Sequence, residues 1–108
     1  GNEERSVVRP VFSYYGKLSF SNHVIEALVH YAVRDLRKIH ISHISSVKST
    51  SQMNGIILSL DVTVRQGTPQ EIKKLIHLMR DKIQREIEHT TGMALDTIKV
   101  NIITDVTG

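Results

Sequence analysis

Cysteine and tryptophan are both absent from this chain of 108 residues. The first absence excludes disulfides, thiolate catalysis and cysteine-ligated zinc, and it fits a reducing compartment. Aromatic residues make up 5% and there are two prolines. The six glycines are isolated from one another, so neither a phosphate-cradling loop nor a nucleophile-elbow glycine pair is written here. No apolar run approaches the roughly 20 residues of a membrane-spanning helix, and no secretory signal is visible. The chain opens on Gly1 rather than Met. It therefore reads as a tag remnant or an excised fragment, from which an upstream membrane anchor could have been cut away. A net charge of +3 is too small to imply nucleic acid by itself.

What is present is one well-written helix. Thr68 can cap, Pro69 suits the first helical position, and Glu71 completes a capping box. Ile72, Leu75, Ile76, Met79, Ile83 and Ile87 then share a stripe at helical spacing, and Gly92 suits the left-handed position past the end. With 40% hydrophobic residues, the length fits one domain with one modest core.

The rest of the chain is read around that helix. Residues 1–15 form an arm: Gly1 to Arg5 is polar, and the more apolar Val7 to Tyr15 is interrupted by Pro10, so it is at best an edge strand. Gly16 to Phe20 alternates and reads as a short strand. Ser21 then caps a helix running to about Lys38, with Val24, Ile25, Leu28, Val29, Ala32, Val33 and Leu36 as its buried stripe. Arg34, Arg37 and Lys38 fall in its last turn, where cations suit the helix dipole. Ile39 to Ser51 reads as a polar strand. Ile39, Ile41 and Val47 share one parity and Ile44 breaks it, so a bulge near His43 is expected. Asn54-Gly55 is a hairpin signal whose two-residue turn would pair Met53 with Ile56, Val47 with Val62, and Lys48 with Asp61. Ile56, Leu58, Leu60, Val62 and Val64 face in on the next strand. The last strand alternates through Ile98, Val100 and Ile102 and ends near Val106. The expected fold class is α+β, a two-layer β-α-β-β-α-β domain in a split arrangement over residues 16–108. Its mixed or antiparallel sheet carries two helices on one face and leaves the other solvated.

No constellation in the sequence points to catalysis. His40 and His43 are three apart, which in a regular strand puts them on opposite faces unless a bulge intervenes, and no carboxylate is near them in sequence. The serines sit at caps and on a hairpin, no face carries paired carboxylates, and Asp61 reads as the partner of Lys48. The chain is therefore expected to be no enzyme and to need no metal or cofactor. RNA-recognition motifs share the element order, but they stack bases on sheet aromatics, and Ile57, Ser59, Asp61, Thr63 and Arg65 include none. A KH-type domain would need a GxxG loop. The basic residues of the long helix, Lys73, Lys74, Arg80, Lys82 and Arg85, are interleaved with acids, and Glu71–Lys74 and Asp81–Arg85 have ion-pair spacing. RNA binding through that face is the alternative function, and anionic membrane binding through it is a third.

Gly16-Lys17-Leu18-Ser19-Phe20-Ser21 with Val24-Ile25, and Ile87, Thr91-Gly92, Val100-Asn101-Ile102 and Asp105-Val106, resemble the alkaline shock protein family of Gram-positive bacteria. The resemblance spans about Gly16 to Val106. It departs at Lys38-Ile39, where the family usually has Gly-Val, and in its basic rather than acidic charge. It implies a non-enzymatic scaffold role in cell-envelope stress homeostasis, cytoplasmic and near the inner face of the membrane. The implied partners are proteins, including other copies of the family and a homo-oligomer. Membrane association would come through a partner or through a missing upstream anchor like that of the alkaline-shock membrane-anchor branch, a context the basic Arg5–Arg9 segment would suit. The expected contact surface is the arm (Val7, Val8, Val11, Phe12, Tyr14, Tyr15) together with Arg65, Lys99 and Ile103 on the open sheet face and its edge.

Overall fold

The computed structural model describes residues 22–49 and 55–104. In chain order these form α1 (Asn22–Ala32), β1 (Ile39–Lys48), β2 (Gly55–Val64), α2 (Pro69–Thr91) and β3 (Ala94–Thr104). The class is α+β, as expected. The arm, the Gly16–Phe20 strand, the Ser21 cap and the end near Val106 lie outside the described residues.

α2 follows its written signals closely. The Glu71 amide donates to the Thr68 hydroxyl at 3.2 Å, and the Thr68 amide donates to Glu71 Oε1 at 2.9 Å. At the other end Gly92 takes φ 73°, and its amide donates to the Glu88 carbonyl at 3.0 Å. Ile76, Met79, Ile83 and Ile87 are buried, and Ile72 and Leu75 pack against the same cluster.

β2 is the sheet's central strand, antiparallel to β1 and parallel to β3. Its residues Ile56, Leu58, Leu60, Val62 and Val64 all join the core, together with Ile25, Val29 and Ala32 of α1 and the buried stripe of α2. Both helices thus lie on one face of the sheet. Their long apolar stripes need that burial to offset the entropy of ordering.

The sheet order differs from a split β-α-β arrangement. β2 and β3 are immediate neighbours joined through α2, a simple parallel crossover with no strand between them. Local patterning cannot distinguish the two, because both present the same alternation to the helices.

Further expectations need correction. α1 stops at Ala32 rather than near Lys38. Beyond it the chain tightens, with Arg34 N–H reaching the Tyr31 carbonyl, Leu36 N–H the Val33 carbonyl and Ile39 N–H the Leu36 carbonyl. These short-range bonds turn the chain toward β1 while Val33 and Leu36 stay in contact with the core. Arg34, Arg37 and Lys38 therefore lie past the helix, and Val24 is exposed.

The hairpin register is also different. Lys48 pairs with Ile56 and Val47 with Ile57, Gly55 already belongs to β2, and the Ser49 amide donates to the Gly55 carbonyl at 2.8 Å. The connection is longer than the Asn-Gly turn would make it, and Asp61 sits opposite His43 instead of Lys48. The bulge does fall between Ile41 and His43. It lets Ile41 and Ile44 both face in, and for the same reason it turns Val47 outward, where it is 60% exposed. Finally, Ile102 points toward the helix layer yet is 46% exposed, because β3 has a strand neighbour on only one side among the described residues.

Candidate interaction surface

The sheet face opposite the helices can be laid out from the pairing register. Val47, Ile57 and Thr97 form one row, and Ser45, Ser59 and Lys99 the next. His43, Asp61 and Asn101 form the third row, and His40, Thr63 and Ile103 the fourth. The rows hold no Phe, Tyr or Trp on which a base could stack, and their only rings are the imidazoles of His40 and His43. Apolar surface lies at both ends, at Val47 and at Ile103, which is 42% exposed.

The bulge removes the geometric objection to His40 and His43 sharing a face, and Asp61 stands opposite His43. Asp61 is engaged otherwise. The Asn101 amide donates to its Oδ1 at 3.3 Å, and the Ser42 hydroxyl donates to its backbone carbonyl at 3.4 Å. Among the described residues, no three His, Asp or Glu side chains converge closely enough to hold a metal ion.

The residues expected to make contacts divide into three groups. Lys99 and Ile103 are exposed, two rows apart on the open face. Arg65 is exposed but lies beyond β2, with its amide donating to the Lys38 carbonyl at 2.9 Å. Val7, Val8, Val11, Phe12, Tyr14 and Tyr15 fall outside the described residues.

Arg65 belongs instead with residues that sequence reasoning had assigned to a helix dipole. Arg37, Lys38, Arg65 and Gln66 line a depression of about 640 Å³ at the end of the sheet. A usable signal existed. In an antiparallel hairpin the residues before the first strand must meet those after the second, so Arg37-Lys38 and Arg65 were bound to come together.

On the helix layer, Lys73, Lys74, Arg80 and Arg85 are exposed. Neither Glu71–Lys74 nor Asp81–Arg85 closes into an ion pair. Glu71 is occupied by the cap, and exposed pairs gain too little to hold two long side chains together. Among the described residues the ion pair is Lys82–Asp35, at 3.4 Å, which ties α2 to the turn after α1. The Asp35 carboxyl is held below the usual carboxylate range, chiefly by a hydrogen bond to its own backbone; desolvation opposes this, and Lys82 and then Arg34 lower it further. The Arg34 guanidinium lies 3.9 Å over the Tyr31 ring and donates to the Tyr31 carbonyl at 2.7 Å.

Thr91-Gly92, part of the motif that carries the family resemblance, has a structural task. The Thr91 hydroxyl donates to the Ile87 carbonyl at 2.7 Å and accepts from the Met93 amide at 3.0 Å, while Gly92 reverses the chain. Glu88 Oε2 then accepts from the Leu95 amide at 2.8 Å, fixing the start of β3.

No family model and no curated protein matches the chain. Among solved structures it resembles Era in complex with MgGDPNP and nucleotides 1506–1542 of 16S ribosomal RNA, at 13% identity and a TM-score of 0.51. The match covers 93% of this chain and 37% of that one. At this identity the likeness shows the fold alone. No helix among the described residues is long and apolar enough to cross a membrane.

Proposed function

We propose that this domain is a non-enzymatic protein-binding and assembly module. The observation behind this reading is the open sheet face. It carries exposed Val47 and Ile103 at its ends and polar side chains between, and it is flanked by β1 and β3, each with one strand neighbour among the described residues. Exposed apolar side chains beside strand edges that have no partner among the described residues suit strand addition and face-to-face docking. The resemblance to the alkaline shock protein family supplies the setting, which is cell-envelope stress homeostasis in the cytoplasm near the membrane. The partners in this reading are other copies of the chain or its relatives, met by the arm, Lys99 and Ile103.

Sedimentation velocity over a wide concentration range tests this. Association that is weakened by Ile103→Asp and Lys99→Glu supports it. A strict monomer at high concentration, with no change in the variants, counts against assembly through this face.

The rival reading is a small RNA-binding domain working through the basic face of α2, favoured by the exposure of Lys73, Lys74, Arg80 and Arg85. The RNA in the Era complex is a property of that protein. A mobility shift with single-stranded RNA that weakens steeply with salt would favour this rival.

A further inference from the structure

The end of the sheet where β1 begins and β2 finishes gathers cations from two connections. The segment between α1 and β1 supplies Arg37 and Lys38, and the segment between β2 and α2 supplies Arg65. The Arg65 amide-to-Lys38 carbonyl bond extends the β1–β2 ladder by one step, so the two connections are held side by side by backbone rather than by side chains. Among the described residues no carboxylate pairs with any of the three. The depression that they line with Gln66 adjoins a second one, of about 300 Å³, which shares Lys38 and Gln66 and is lined further by Glu71, Lys74, Leu75 and Leu78. Leu78 is 42% exposed. The one acid on that second depression, Glu71, is already bonded to the helix start.

A cationic hollow continuous with an aliphatic slot asks for a ligand that is negative at one point and apolar at the next. We propose that this end is a docking site for an acidic, leucine-bearing peptide segment of a partner protein. Its carboxylates sit at Arg37, Lys38 and Arg65, and an apolar side chain enters the slot between Leu75 and Leu78. Arginine forks match carboxylates in two-point geometry, and the slot sets spacing and specificity. RNA fits less well, because the neighbouring slot is aliphatic where bases need aromatic faces to stack on. An anionic membrane fits less well too, because a flat lipid surface has no side chain to place between Leu75 and Leu78. The proposal rests on the protein-binding reading and names its partner's chemistry.

The test uses fluorescence anisotropy with the whole chain and a labelled short peptide of glutamates with leucine at every fourth place. An all-glutamate peptide, an oligouridylate and phosphatidylserine-containing vesicles serve as comparisons. Saturable binding is expected, tighter for the leucine-bearing peptide. It should weaken about tenfold or more in Arg37→Glu/Arg65→Glu, and Leu78→Ser should erase the preference for leucine. Lys73→Glu/Arg80→Glu carries the same charge change on the opposite flank of α2 and should leave binding within about twofold. Arg37→Gln/Arg65→Gln repeats the test should the charge-reversed chain fail to fold. No binding of the peptide, equal losses in both charge-reversal variants, or preference for oligouridylate or vesicles would overturn the proposal. Self-association measured by sedimentation, with its dependence on Ile103, is read separately, so this site can fail while the broader reading stands.

Discussion

Replacing Thr91 by valine is the sharpest probe of how α2 hands over to β3. Valine keeps the volume and the branched β-carbon, so packing beside Ile87 is preserved. It removes the hydroxyl that donates to the Ile87 carbonyl and accepts from the Met93 amide. Thr91 and Met93 are both buried, so water cannot replace the lost partner without opening the joint. A buried amide left without an acceptor costs about 1–3 kcal/mol. For a domain of this size each kcal/mol lowers the melting midpoint by about 4–8 °C. Thr91→Ser keeps the hydroxyl and loses one methyl, a loss of about 1 kcal/mol. The expected order of stability in urea titration is therefore wild type, then Thr91→Ser, then Thr91→Val, with faster exchange of the Met93 amide in the valine variant. A valine variant as stable as wild type, or a serine variant less stable than valine, would refute the reasoning.

Other consequences are simpler to read. Thr68→Ala removes the capping hydroxyl and should cost about 1 kcal/mol in chemical denaturation. Ile83→Ala opens a cavity at a fully buried position and should cost about 2–5 kcal/mol, with the slope of the denaturation curve unchanged. Asp35 has its carboxyl held below its unfolded value, so what it contributes to stability is present above the ordinary carboxylate range and is lost as pH falls through its folded titration. Asp35→Asn should flatten that part of the melting profile and leave the neutral-pH shape otherwise intact.

The legibility of the fold follows from where each instruction lies. α2 could be read end to end because its cap, its stripe and its stop glycine are all local chemistry. The inward face of β2 followed from strict alternation, and the bulge near His43 from the parity conflict between Ile41 and Ile44. The end of α1 was not legible. No glycine or proline marks it, and it is set by where the core needs Val33 and Leu36 before β1 can begin. The strand pairing failed for a related reason. Asn54-Gly55 is a strong local signal, yet the observed register puts Lys48 opposite Ile56 and Ile44 opposite Leu60, a parity that buries Ile44 with Ile56. The outward positions of Lys99 and Ile103 on β3 followed from alternation. The meeting of Arg37 and Lys38 with Arg65 was not legible, because an expected helix explained their charge.

The claim at the centre of this account is that the sheet face opposite the helices is the contact surface. Covalent footprinting of the chain, dilute and then concentrated or partner-bound, tests it directly. Labelling at Val47, Lys99 and Ile103 is expected to fall on association, while labelling at Lys73, Arg80 and Arg85 on α2 stays constant. Constant labelling of the sheet face, with protection confined to α2, would contradict it.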